Sequence, residues 1–413
     1  MNDTLTTYRC SNMFAIRFLV FILILGSINV TAQTTKSGAP KTPTEAWKLV
    51  NLKADEERAR LAQEYASLFK LGDWKDEELL SLGRLYSLSG QLSSAQKALT
   101  LYLAASKAAN ATAARQVLLK VLIAQKDYDG ALSVANRLLA EPEYDRGTLL
   151  QVLTLIRALA ATDSKAATLL FEKTLPGLFR QATNEIRDNP QFGSTMAGMI
   201  LADALEAGQL YREAGDLVDS EKLFALFLTK FKPTPLSVDQ KVTKAVDIAI
   251  SQARVIGIMA PPLEGVEYIG MPKMPIESFK GKVILLDFLA HWCKPCVAEF
   301  PKLNALQEKY SSQGLQIIGV TTFYGFIGDK KDVIPGDELA ALRSLRTQHN
   351  VKFGFLVSPS AKDANYGLAG VPYVVTLLPT KALIDRAGKV RYLRTGSSES
   401  ELEKMIQVLL AEP

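Results

Sequence analysis

DFLAHWCKPCVAEFP, residues Asp287 to Pro301, holds two cysteines three positions apart, Cys293 and Cys296, behind an apolar run from Val283 to Leu286. The run reads as a buried strand and the residues after the cysteines as a helix, so the pair falls where strand hands over to helix. At a helix start, unpaired N–H groups and the helix dipole favour an anion. That matters to a thiol, whose ordinary pKa of about 8.5 leaves only a few per cent thiolate at neutral pH. Lys294 adds a positive charge beside it. Cys293 is therefore the attacking cysteine. Cys296, one turn into the helix, is the resolving one that closes a Cys293–Cys296 redox disulfide.

The remaining cysteine, Cys10, lies before an apolar stretch near the N-terminus, to leave with that stretch or remain in its flank, so the rest of the chain has only the pair. A disulfide that closes two intervening residues stabilises little by chain entropy, which leaves reactivity as the reason for it. Zinc needs four ligands, and the chain offers only His291 and His349 besides the pair, so no metal and no cofactor is expected. His291 reads instead as a rim residue that modulates the thiolate. Forty-eight basic against 43 acidic residues give +5 over 413, too slight to argue for nucleic acid or an anionic membrane.

Residues 1–33 carry Arg9 and Arg17, an apolar run from Phe18 to Leu25, and small and polar residues ending Val30-Thr31-Ala32-Gln33. This is the layout of a signal peptide cleaved after Ala32. Counted from Met13 to Val30, with Arg17 inside it, the same stretch reads as an uncleaved anchor. Both readings export the rest, to a periplasmic or other extracytoplasmic location. Residues 34–46, rich in Thr, Lys, Pro and Ser, form a flexible leader.

From residue 47 to 257 the apolar residues recur at helical spacing. Leu82-Gly83-Arg84-Leu85-Tyr86, Gly90, Ala95 and Leu99 have the offsets of two helices folded about a tight turn at Gly90. This resembles the tetratricopeptide repeat of about 34 residues. Tyr102 departs from it, standing where a small residue is usual. A second copy lies over Leu118, Leu122, Ala131, Ala135 and Leu138, with Lys126 in place of the turn glycine. A third lies over Leu201, Leu205 and Gly208 to Ala214, with a slip of one residue. The alternative is an irregular helical bundle. A repeat array would offer a concave surface for a peptide or protein partner, a bundle only a spacer. Met259-Ala260-Pro261-Pro262 stops helix and puts the domain boundary near 258.

Residues 258–413 alternate differently. Strands are expected at 283–289, 315–321, 354–357, 381–385 and 389–394, and helices at 296–310, 337–347 and 399–411, beginning with a right-handed βαβ unit. The fold class is thus multidomain, an all-α helical-hairpin region followed by an α/β domain.

Asp287-Phe288-Leu289-Ala290-His291-Trp292-Cys293-Lys294-Pro295-Cys296, with Pro301 after it, resembles the thioredoxin active site. The wider pattern is similar to the TlpA/ResA-like extracytoplasmic thiol-disulfide oxidoreductases. It includes Lys280-Gly281-Lys282, Glu299-Phe300-Pro301, Gly319-Val320 and Asp385-Arg386-Ala387-Gly388-Lys389-Val390. The resemblance implies a thioredoxin-like fold over residues 258–413 and exchange of electrons with protein thiols and disulfides, with an upstream electron donor or acceptor. It places Asp287 at the buried acid of thioredoxins, a candidate to accept or return the resolving cysteine's proton, and Glu299 at an active-site glutamate. Trp292 becomes a substrate-binding candidate, and Pro295 and Lys294 modulators. The fold also requires a cis-proline opposite the cysteines: Pro379 has the family's spacing to Gly388, and Pro372 is the runner-up by its distance from Tyr366. Leu289 replaces a usual aromatic residue, and 323–336 reads as a variable surface loop, with a lid or partner loop as the alternative. The leading reading is an exported reductase of protein disulfides. Its rivals are a helical scaffold with an accessory redox domain, and a peroxiredoxin-like peroxidase, which lacks its Pro-x-x-x-Thr/Ser-x-x-Cys motif here.

Overall fold

The computed structural model describes residues 39–105, 109–141, 144–359, 372–396 and 399–412. The signal-like segment, residues 34–38 of the leader, and Tyr366, Gly370 and Val371 lie outside the described residues. The end of the leader is not flexible: Thr42 caps a helix that starts at Pro43, and Ala46 is fully buried in it.

Eleven α-helices precede the sheet among these residues. The first six are α1 (Pro43–Asn51), α2 (Asp55–Ala66), α3 (Asp76–Leu88), α4 (Leu92–Ala104), α5 (Ala111–Gln125) and α6 (Tyr128–Leu139). Then follow α7 (Arg146–Ala160), α8 (Ser164–Asp188), α9 (Gly193–Glu213), α10 (Leu217–Phe231) and α11 (Gln240–Val255). Aspartate starts five of them: Asp127, Asp145, Asp163, Asp216 and Asp239 each accept a backbone N–H of the first turn, satisfying donors that the helix cannot. The turns fall at left-handed residues, Gly90 (φ +77°) between α3 and α4 and Lys126 (φ +61°) between α5 and α6. Gly83 lets α4 approach α3, since a Cβ there would stand 2.7 Å from Leu99 Cγ.

The third repeat copy requires correction. Gly208 is not a turn but lies inside α9, where a Cβ would meet the Phe224 ring at 2.3 Å; the turn is at Gly215, φ +88°. Glycine serves both close helix packing and left-handed turns, and packing against Phe224 decides this one. The 25-residue α8 and 21-residue α9 also make these pairs unequal.

The second half is built on a six-stranded sheet in the order β1-β6-β3-β2-β7-β8. Its strands are β1 (Glu267–Ile269), β2 (Val283–Phe288), β3 (Leu315–Thr322), β6 (Gly354–Ser358), β7 (Thr380–Ile384) and β8 (Val390–Thr395). A separate two-stranded hairpin, β4 (Phe326–Ile327) and β5 (Lys330–Lys331), stands where the sequence suggests only a loop. The parallel centre β2–β3–β6 requires crossovers, supplied by α12 (Lys294–Tyr310) and α13 (Pro335–Gln348), and α14 (Glu399–Ala411) ends the chain. The pleat sorts β2 between two cores. Val283, Leu285 and Leu289 pack with Phe300, Leu303, Leu342, Leu402 and Ile406 of the three helices, while Ile284, Leu286 and Phe288 face Leu263, Phe279 and Tyr373. Leu289 is fully buried beside Gly319, whose Cβ would fall 2.6 Å from Phe355 and 3.0 Å from Leu289. Phe355 and Phe300 thus supply the aromatic bulk beneath the cysteines that Leu289 does not.

The two halves meet along the outer strand β8. Gly257 N–H donates to Val390 O and Val390 N–H to Ile258 O, so the boundary segment itself pairs with the sheet. From α9, Gln209 donates to Leu393 O, and Glu213 pairs with Arg394 at 2.8 Å. This edge pairing blunts an otherwise open strand.

Candidate active site

β2 delivers its chain end to a turn of four residues, 289–292, after which Cys293 caps α12. Its Sγ accepts the Cys296 N–H at 3.3 Å, and Cys293 and Cys296 are joined as a disulfide with Cα atoms 5.3 Å apart. Both are buried, Cys296 completely and Cys293 with 4% exposure, which leaves Cys293 as the approachable sulfur. Pro295 stands in the first turn, where a missing N–H costs nothing. Lys294 points to solvent. Pro301 lies inside α12.

Alternation along β2 places Asp287 on the same face as Leu285 and Leu289, beneath α12. It is fully buried, and neither carboxyl oxygen accepts a hydrogen bond from the described residues. Burial pushes its pKa up from 3.8 to about 6; Lys381 opposes that rise and Glu299 adds to it. Lys381 stands opposite Asp287 in the β2–β7 register, its Nζ 3.6 Å from Oδ1, beyond hydrogen-bond reach. The same ammonium bonds to Glu299, which projects from α12 three positions after Cys296 and is 27% exposed. Asp287 and Lys381, both buried, thus form one charge group with the partly exposed Glu299 of the cysteine helix. Lys381 escapes sequence reading because nothing local marks it; its place follows from the strand register, two residues after Pro379.

Pro379 follows a cis peptide bond from Leu378 and leads directly into β7, whose Thr380 pairs with Phe288 at the end of β2. Leu378 packs against the core that holds both cysteines. Pro372 is exposed, and the peptide bond before it involves Val371, outside the described residues.

On the other side of the cysteine turn, His291 is not an open rim residue. Its side chain is 7% exposed and its Nε2 lies 3.1 Å from Glu338 Oε1 on α13. Burial lowers its pKa, against the pull of Glu338. Glu338, fully buried, also accepts the N–H groups of Tyr324 (2.7 Å) and Gly325 (2.9 Å). The segment 323–336 is thereby tied to the site: Tyr324 packs edge-on to Trp292 with centroids 5.3 Å apart, and Phe326 lies along Trp292 at 6.2 Å and against His291 at 5.6 Å. The Trp292 ring is half-buried beside the disulfide, its position set by this hairpin.

Residues 272–409 match the Redoxin family. Thiol-disulfide oxidoreductase ResA of Bacillus thuringiensis subsp. konkukian is 32% identical over 136 residues, which are 33% of this chain and 68% of that protein. ResA of Bacillus thuringiensis strain Al Hakam is 35% identical over 118 residues, 29% of this chain and 57% of that one. Among solved structures, a thiol-disulfide isomerase from Corynebacterium glutamicum is 19% identical and covers 38% of this chain and 97% of its own, with a TM-score of 0.33.

Proposed function

Because the chain belongs to the ResA-like thiol-disulfide oxidoreductases of the thioredoxin superfamily, we propose that it is an exported enzyme that reduces disulfides of partner proteins through Cys293 and Cys296. The observation that carries this reading is the place of Cys293. As the cap of α12 it already accepts the Cys296 N–H, and in the reduced protein that hydrogen bond and the helix dipole stabilise its thiolate.

The Cys293 thiolate attacks a partner disulfide, and one partner sulfur leaves as a thiolate. The Cys296 thiol gives its proton to Asp287 and attacks Cys293 Sγ, breaking the mixed disulfide and releasing the second partner thiolate. Two electrons pass from the dithiol to the partner, the partner thiolates take up protons, and an upstream thiol donor then restores the enzyme. Trp292 and the backbone before Pro379 flank the point of attack and are the contacts for the partner chain. Export rests on the Arg9/Arg17 and Phe18–Leu25 pattern. The helical half, fixed along β8, serves to present the partner protein.

Insulin reduction by the full chain, with dithiothreitol as donor, tests the exchange. The wild type accelerates it and Cys293→Ser returns it to the uncatalysed rate; equal rates for both proteins would sink the reading. Equilibration with glutathione tests direction. A potential near about −270 mV supports a reductant, and one near about −120 mV makes the protein an oxidant.

A further inference from the structure

The two carboxyl groups beneath the cysteines have unequal surroundings. Glu299 is partly wetted and bonded to the Lys381 ammonium. Asp287 is fully buried, accepts no hydrogen bond from the described residues, and has the same ammonium at 3.6 Å. A desolvated carboxylate without hydrogen bonds gains by taking a proton. We propose that Lys381 is a positioning residue that divides the labour of the two acids, holding Glu299 as a fixed ion partner and setting the acidity at which Asp287 accepts the Cys296 proton. This rests on the exchange reading above and extends it to a residue outside the motif.

The neighbouring charges leave this role to Lys381. Opposite Asp287 on β3 stands Gly319, which carries none. From α14 the residues packed into this core are Leu402, Ile406 and Leu409. On β8, Arg394 is paired in register with Lys381, yet its guanidinium is engaged by Glu213, Glu206 and Glu401. His291 and Glu338 bond to each other on the far side of the cysteine turn. The remaining charged neighbour from α12 is Glu299 itself.

The step affected is resolution. The Cys296 S–H proton moves to an Asp287 oxygen, the Cys296 sulfur forms a bond to Cys293 Sγ as the Cys293–partner bond breaks, and the leaving thiolate carries off the electron pair. Asp287 then returns its proton to water. Without Lys381, ionised Asp287 loses its favourable cation, and resolution requires higher pH.

The two steps separate with 5,5′-dithiobis(2-nitrobenzoate) and excess reduced full-length protein carrying Cys10→Ser. Attack by Cys293 releases one thionitrobenzoate, and resolution by Cys296 releases a second. In Lys381→Met the inflection of the second phase against pH moves up by about one unit or more, and Lys381→Arg brings it back toward wild type. Glu299→Gln moves it down, because Lys381 then serves Asp287 without competition. In both Lys381 variants the first phase stays within about two-fold, since Lys381 acts on the resolving proton. A Lys381→Met profile that superimposes on wild type, or an Arg variant that fails to restore it, overturns the role of Lys381. If Lys381→Met does not fold, the direction of the Glu299→Gln shift decides. Asp287→Asn separates the layers: loss of its inflection beside an unmoved Lys381→Met removes only the present inference, and an inflection that survives in Asp287→Asn removes Asp287 as acceptor and this inference with it. Absence of any second phase in the wild type removes the exchange reading itself.

Discussion

Two fully buried acids flank the cysteine turn, and they are opposites. Glu338 accepts two backbone N–H groups and faces His291, so its oxygens are supplied with partners. Asp287 has the nearest cation at 3.6 Å and no hydrogen bond among the described residues. A satisfied buried polar group holds structure, because removing it strands its partners. An unsatisfied one stores a cost that chemistry can use, since a proton relieves it. The contrast teaches that burial alone does not separate the acid proposed to act from the one that holds structure; the count of partners does. Glu338 fixes the hairpin that shapes the entrance, and Asp287 is the group poised to titrate.

The largest test removes the satisfied acid. Glu338→Ala leaves the Tyr324 and Gly325 N–H groups and His291 without their acceptor, and should cost about 2–4 kcal/mol in urea unfolding. Trp292 fluorescence should change with it, because Tyr324 and Phe326 lose the anchor that holds them on the indole. Glu338→Gln keeps one acceptor oxygen and should lose less. A stability within about 0.5 kcal/mol of wild type would break the comparison, since Glu338 would then hold nothing.

Removing the unsatisfied acid should act the other way. The folded-state pKa of Asp287 is raised, from 3.8 to about 6. The folded protein therefore binds this proton more tightly than the unfolded chain, and stability falls as pH rises from about 4 through about 6. Asp287→Asn abolishes that loss. It should be more stable than wild type at pH 8 by on the order of 2 kcal/mol, with the gain shrinking toward pH 4. Resolution should slow by about 10-fold or more in the same protein, through loss of the proton acceptor. Thermal unfolding at both pH values reads the first effect, and a less stable Asp287→Asn at pH 8 would show that Asp287 is hydrogen-bonded after all.

This contrast explains what could be read from the chain before its structure. Cys293 and Cys296 were legible because strand, turn and helix are adjacent in sequence, and the apolar run Val283–Leu286 announces the strand. The main strands and helices of the α/β half lie within about two residues of their expected places, for the same local reason. Glu299 and Asp287 were legible only through the family resemblance. Lys381 and Glu338 were not, because each acquires its meaning from a partner far along the chain: 82 positions separate Lys381 from Glu299, and 47 separate His291 from Glu338. Glu338 sits in the first turn of α13, where an acid ordinarily reads as a solvent-facing partner of the helix dipole. Only packing reveals that it turns inward, and the same is true of Gly208, whose fit against Phe224 separates a helix glycine from a turn glycine.

The smallest effect should come from Lys294, the charge closest to Cys293 in sequence. Its side chain is exposed, in water's high dielectric, and has no fixed carboxylate partner among the described residues. A charge so placed contributes a fraction of a kcal/mol, and screening at physiological salt reduces it further. Lys294→Gln should therefore slow attack by Cys293 no more than about two-fold at pH 7 and 0.15 M salt, and by less as salt rises. The helix-start hydrogen bond from Cys296 N–H to Cys293 Sγ is untouched by that substitution. A ten-fold loss, insensitive to salt, would mean that the neighbouring cation rather than the helix end activates the nucleophile. The division between a buried acid without hydrogen bonds, proposed to act, and a solvated charge that does not would then have to be redrawn.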